Sequence, residues 1–140
     1  MEAFAGSHGQ RGGALSAGLV RERFALSASA ERSAADGFSR KDPSGHRDES
    51  SAETWRVAAS GEPAEGLKLD LEAGRSRIDT RYPNPLSLAE FRKDPRKNTD
   101  SWGEFRYNHQ KFDTRHWGVG AEYAFNPEWR VSARHSDEDK

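Results

Sequence analysis

Four groups of residues carry side chains able to do chemistry. His46-Arg47-Asp48-Glu49 gathers metal-capable groups in one polar stretch. Neighbouring residues do not converge on one ion without a special backbone fold, and carboxylates in a polar loop are ordinarily just solvated. Asp70 and Glu72 stand two apart, which in a strand places both carboxylates on one face, about 7 Å from each other. Such a pair is open to general acid–base work, but lining a wet surface suits it better. His109, His116 and His135 occupy strand-like positions, the first and last on the apolar parity, where histidine more often fills space than binds a ligand. Lys93, Arg96 and Lys97 form a basic cluster fit to steer an anion toward an opening, or simply to be hydrated. No G-x-S-x-G, P-loop or H-E-x-x-H pattern occurs, so no catalytic, cofactor-binding or metal residues are assigned and no enzyme or cofactor is expected.

Composition narrows the choice of scaffold for these groups. The 140 residues are 33% hydrophobic and 32% charged, which would supply a soluble core of this size poorly. Net charge is −1 and no basic stripe stands out, so nucleic acid is not an expected partner. With no cysteine there is no disulfide framework, thiolate site or thiol nucleophile. No run of 18 or more apolar residues exists, which excludes a helical membrane span. The opening MEAFAGSHGQRGG lacks the order of a secretory signal, so either the protein stays in the cytoplasm or a segment precedes it.

The residues that would position the polar groups alternate with apolar ones. Leu15, Ala17 and Leu19 are followed by a polar turn at Arg21-Glu22-Arg23, then Phe24, Leu26, Ala28 and Ala30. Trp55, Val57 and Ala59 continue the pattern, Pro63 and Gly66 bracket a turn, and Leu67, Leu69, Leu71 and Ala73 form the cleanest case. Phe105, Tyr107 and His109 are read as a further strand, with a turn at Asp113-Thr114-Arg115. Trp117 to Phe125 and Trp129 to Ala133 follow, joined by Asn126-Pro127-Glu128. Period two throughout predicts about seven antiparallel strands and an all-β fold, with one helical turn at Ser87 to Phe91. Long polar loops are expected over 34–53 and 79–100, the second carrying Pro83, Pro85 and Pro95.

Alternation alone does not say whether the apolar face meets a packed core or lipid. Short turns alternating with long loops, and strands of roughly 8–12 residues, match an outer-membrane barrel. Arg56, Lys68, Asp70, Glu72, Glu104, Arg106, Arg130 and Arg134 would then line the inside. Phe24, Trp55, Trp102, Phe125 and Trp129 near strand ends would form interfacial girdles. The many apolar alanines would fill a soluble core badly. A soluble β-rich module and substantial disorder stay open as alternatives. One misfit follows from this strand count: if the Pro63 turn is periplasmic, strict up-and-down order puts the Pro127 turn outside, although NPEW has the form of a periplasmic turn.

Gly6-Ser7, Gly9 and Arg11, then Glu22-Arg23-Phe24, then Ser33 with Asp36-Gly37-Phe38 resemble the opening barrel hairpin of TonB-dependent outer-membrane receptors. AEYAFNPEWRVSARHSDEDK is similar to hairpins of the same family, and the similarity runs from about residue 2 to 138. Ala34 and Ala35, between the serine and the aspartate, depart from the pattern. The resemblance implies energy-dependent uptake of ferric siderophores, cobalamin or other metal chelates through a plugged barrel of about 22 strands. It implies three partners: a small chelate, outer-membrane lipid, and the TonB complex reached through a region not in these 140 residues. About seven strands would be a partial, unclosed barrel from the N-terminal part of a larger receptor. A passive porin-like barrel is the alternative of the same membrane class.

Overall fold

The computed structural model describes residues 1–43, 45–98 and 109–140. It contains β1 (Glu2–Ala5), a 3-10 turn (Ser7–Gly9), β2 (Arg11–Arg21), β3 (Phe24–Ala35), β4 (Ser50–Ala64), β5 (Leu67–Arg81), α1 (Leu88–Lys93), β6 (His109–Ala124) and β7 (Arg130–Asp139). The strands form one antiparallel up-and-down sheet in the order β1-β2-β3-β4-β5-β6-β7, which is not closed into a barrel. Alternating side chains give each strand two unlike faces, and direct pairing keeps like faces together along the whole sheet.

Local chemistry fixes the turns. β4 and β5 meet where Ala64 pairs with Leu67, and Gly66 supplies the left-handed residue at φ 76. A register shift between Gly61 and Ala64 bends this end of β4. The Asn126 side-chain oxygen accepts from the N–H groups of Glu128 and Trp129, both at 2.9 Å, closing the β6–β7 turn. Helix α1 covers the expected helical turn. Its N-cap is Ser87, whose hydroxyl accepts from the Glu90 N–H while the Glu90 carboxylate accepts from the Ser87 N–H.

The observed elements differ from the sequence expectation in three places. Asp113-Thr114-Arg115 is not a turn: β6 runs through it, with Asp113 paired to Arg77 and Arg115 to Arg75. Asp113, one of the residues that suggested a turn, instead forms ion pairs with Arg75 and Arg77 on β5. β1 was not expected, because only four residues alternate there; Phe4 lies opposite Gly12, where an added Cβ would strike its ring. The strands also run further than the apolar pattern does, so the first long connection is 36–49 rather than 34–53, and the second begins at 82 rather than 79. The strand expected at Phe105 and Tyr107 lies outside the described residues, as do Trp102, Glu104 and Arg106.

Continuity of β6 removes the misfit in up-and-down order. The turns at 22–23, 65–66 and 125–129 all lie at one end of the sheet, and both long connections lie at the other. The NPEW turn therefore belongs with the other short ones.

Candidate functional site

Among the described residues no hydrophobic side chain is buried. Leu15, Leu71, Val131 and Trp129 are 58%, 56%, 61% and 68% exposed, so the apolar face has nothing packed against it. The sheet has two unlike faces.

The carboxylate face is hollow. A depression of about 460 Å³ crosses it from Gly18 and Ser27 through Ala58, Asp70 and Glu72 to Arg134. Register places Arg56, Lys68, Asp70, Glu72, Arg130 and Arg134 on this face, as expected from the sequence. Glu72 accepts from Arg56 at 2.6 Å on one oxygen and from Arg134 at 2.8 Å on the other. The second contact spans β6, and glycine makes it possible: a Cβ on Gly118 would stand 3.2 Å from the Glu72 carboxylate oxygen. Asp70 and Glu72 thus belong to a charged lining shared by β4, β5 and β7. Glu72 is already doubly paired, which leaves no acid–base couple with Asp70.

The opposite face, named here for Leu67, Leu69 and Leu71, is apolar only in a band, and the band runs obliquely. The row that starts at Ala17 on β2 passes through Ala28, Val57, Ala73 and Trp117 and ends at Asp137 on β7. The row from Leu15 passes Ala30 and Trp55, then meets Arg75, Arg115 and Asp139. At the short-turn end the row from Arg21 passes Phe24, Gly61, Leu69 and Ala121 and ends at Ala133. The band's centre is Ala17 on β2 but lies between Val131 and Ala133 on β7, about five residues from Asp137. That slip is about 16 Å at 3.3 Å per residue, over about 24 Å of strand spacings, an angle of about 35°. Strands of membrane barrels tilt by about 35–45°.

Aromatic residues mark both borders of the band. Trp55 and Trp117 lie about 10 Å above its midline, and Phe24, Phe125 and Trp129 about as far below, counting 3.3 Å per residue and the 35° tilt. The Phe125 ring packs edge-on against Tyr123 at 4.8 Å, and its N–H reaches the Trp129 carbonyl at 3.0 Å. Two levels about 20 Å apart approach the roughly 25 Å between interfacial girdles. Beyond Trp55 and Trp117 the same face turns charged: Arg75 makes a two-pronged pair with Asp113, and Arg77 reaches the same carboxylate at 3.4 Å. Reading 113–115 as a turn hid this group; the signal for it was opposite charge at matched parity on β5 and β6.

The loop candidates resolve into structural contacts. His46 Nδ1 lies 3.1 Å from Glu49, and Glu49 also pairs with Arg81 at 3.3 Å. Asp48 accepts from the N–H groups of Phe38 and Ser39 at 3.1 and 2.7 Å, so the four residues 46–49 do not face a common point. No group of three or more metal-capable side chains converges among the described residues. His109 pairs with Asp79 at 2.6 Å, His116 lies over Gly74, and the His135 ring packs against Trp117 at 5.2 Å. In the basic cluster, Lys97 pairs with Glu90 at 2.5 Å, and Arg96 lies over the Phe38 ring and donates to the Phe38 carbonyl at 3.0 Å. The Arg40 N–H donates to the Arg96 carbonyl and its guanidinium pairs with Asp94, so the two long connections brace each other. Lys97 and Ser87 together hold the Glu90 carboxyl well below its usual range, at about 2.

No protein-family model, curated protein or solved structure matches this chain.

Proposed function

We propose that this chain is part of the wall of an outer-membrane β-barrel of the Gram-negative type, belonging to a TonB-dependent receptor that takes up ferric siderophores or similar scarce chelates. The oblique apolar band carries the proposal. Stacked soluble sheets cross at about 30° and can slope an apolar face too, but they bury it, and no apolar side chain is buried among the described residues. A tilted strand in a flat lipid slab slopes its apolar face by an amount set by the tilt and leaves it bare of protein. The two aromatic levels and the lack of any buried apolar side chain among the described residues support the same reading. Seven strands leave β1 and β7 running the same way, so an even-numbered barrel needs further strands between them.

In this reading the leucine face meets acyl chains, and the carboxylate face with its Glu72 bridges lines a wet lumen. The braced connections 36–49 and 82–98 stand at the outer rim, where a chelate would arrive. In this reading the plug, and the region through which the separate TonB complex acts, belong to other parts of the receptor. The band supports a receptor wall and a passive pore equally; the resemblance of the Gly6–Phe38 and Ala121–Lys140 segments to receptor hairpins is what favours the receptor.

The test uses cells carrying the gene at its native locus. In-frame deletion of residues 24–64 and, separately, loss of TonB function should each abolish uptake of labelled ferric chelates. Uptake that survives both refutes the receptor. Influx of small sugars that depends on residues 24–64 but not on TonB would assign a pore instead.

A further inference from the structure

The two faces of the sheet exchange character above the apolar band. Along β5, Leu67–Ala73 sets leucines against Lys68, Asp70 and Glu72, but from Arg75 onward the charge moves to the leucine face, with Arg75, Arg77, Asp79 and Arg81. The carboxylate face there carries Ser76, Ile78, Thr80 and, just past the strand, Tyr82. β6 does the same: Lys111 and Asp113 stand on the leucine face, Gln110, Phe112 and Thr114 on the carboxylate face. Ion pairs of Asp113 with Arg77 at 3.4 Å and of Lys111 with Asp79 at 3.2 Å mark the leucine face at this height as wet. Ile78 and Phe112 are cross-strand partners about 20 Å above the band's midline, at 3.3 Å per residue and a tilt of about 35°.

In the same row the Phe4 ring lies over Gly12, and only Ser33 and Ala52 stand between Gly12 and Ile78. The row therefore has a floor of small side chains three strand spacings, or about 14 Å, across, with apolar groups at both ends. Phe4, Tyr82 and Phe112 are about half exposed. From this row to the long connections, no described strand residue brings a charge to this face. On β1 to β6 the charges one row below are Glu2 and Glu31, both anionic. The Tyr82 hydroxyl donates to the Gln110 side-chain carbonyl at 3.2 Å, which leaves the Gln110 amide N–H groups to donate elsewhere.

Resting on the receptor reading above, we propose that this trough at the mouth seats the chelate, and that it takes an uncharged, carbon-rich chelate in preference to an anionic one. Aromatic groups bare to a wet lumen gain by being covered. An anion seated on Ile78 and Phe112 would lose its water with no cation on this part of the face to replace it. A chelate whose oxygens are neutralised by its own metal loses little, and its carbonyl oxygens can accept from Gln110. The connections above add little net charge: 36–49 and 82–98 carry nearly as many anionic as cationic side chains, and Arg96 and Lys97 are engaged by Phe38 and Glu90.

Cells carrying the gene at its native locus provide the test, read as the part of chelate uptake that is lost on deleting residues 24–64. Labelled ferric trihydroxamates, in which three hydroxamates balance the ferric charge, should enter by this route. A trianionic ferric tris-catecholate should neither enter nor compete. F112S and I78S should each raise the half-saturation concentration for the trihydroxamate about tenfold, the worth of covering part of one such side chain. Maximal rate and the amount of receptor in the outer membrane should be unchanged, and K111Q, on the opposite face at the same height, should alter neither affinity nor rate. Preferential TonB-dependent uptake of the tris-catecholate overturns the uncharged trough and leaves the receptor standing. So does a loss of maximal rate or receptor amount in F112S and I78S with half-saturation unmoved, which would make the patch a seat for the receptor's own plug. Absence of uptake of both chelates by this route overturns the receptor as well.

Discussion

Ala17, Val57 and Asp137 lie in one row of the sheet, and a flat layer of untilted strands would put them at one depth. The oblique band predicts otherwise. At a tilt of about 35°, each strand spacing of about 4.8 Å raises a row by roughly 2.8 Å along the membrane normal. Ala17 then sits at the midline, Val57 about 5 Å above it, and Asp137 about 14 Å above it, level with headgroups, on the same geometry. The chain has no cysteine, so A17C, V57C and D137C each give a single labelling site. With a bimane label on the protein in vesicles, lipids brominated deep in the acyl chain should quench A17C most. V57C should respond best to shallower bromines and D137C to neither strongly. A label at Ser27 or Ala58 on the carboxylate face should escape quenching altogether. Equal quenching at all three row positions would refute the tilt. Absence of quenching at Ala17 would refute lipid contact, and with it the proposed function.

Three further outcomes follow from particular contacts. Gly66→Ala forces a side chain into a left-handed residue and brings its Cβ to 2.7 Å from the Ala124 carbonyl oxygen. A loss of about 1–2 kcal/mol in urea-unfolding stability is expected from the backbone conformation alone, and an unchanged midpoint would count against the described β4–β5 turn. Gly74→Val meets the His116 ring, which can swing away, and the Trp55 carbonyl at 2.9 Å, which cannot; a loss of about 1–3 kcal/mol is expected, and the same substitution at exposed Gly18, where an added Cβ meets only the Leu26 carbonyl at 3.6 Å, is the control for space. Glu90 gives a pH dependence confined to the loop. Its folded pKa of about 2 lies below the unfolded value, so its contribution to the Ser87–Lys97 segment is complete above about pH 4.5 and is lost as pH falls through the folded value. Amide resonances of α1 should therefore hold to well below pH 4 and move near pH 2. E90Q should abolish that step, and a Glu90 midpoint near 4.3 would contradict the Lys97 and Ser87 contacts.

The hairpins were legible because each is a local statement: period two in LKLDLEAG, an asparagine at 126 before a proline, a glycine at 66 where φ must be positive. Those signals yielded the all-β meander, the carboxylate face and the helical turn at Ser87. What stayed hidden was set by pairing between strands. Asp113-Thr114-Arg115 is polar on both faces, and no single strand distinguishes a turn from a charged stretch of ladder; only Arg75 and Arg77 opposite make the difference. Phe4 gives β1 no pattern by itself, but opposite Gly12 it has a place to lie.

The slope of the apolar band is the extreme case of the same limit. Each strand's apolar segment is plain in the sequence: Leu15–Leu19, Phe24–Ala30, Leu67–Ala73, Trp117–Tyr123, Val131–Ala133. Their relative heights are not, since they depend on which residues of neighbouring strands face each other. Once register is known, the centres shift by about five residues in sum from β2 to β7, mostly between β4 and β5 and between β6 and β7. A second protein layer, crossing at about 30°, would bury such a band, and no apolar side chain is buried among the described residues. The shift places Asp137 beside Trp117 and Arg75 beside Trp55. Such pairings cost little only where the boundary that matters is a plane crossing the strands at an angle. That plane is the argument for lipid, and it is independent of any single motif.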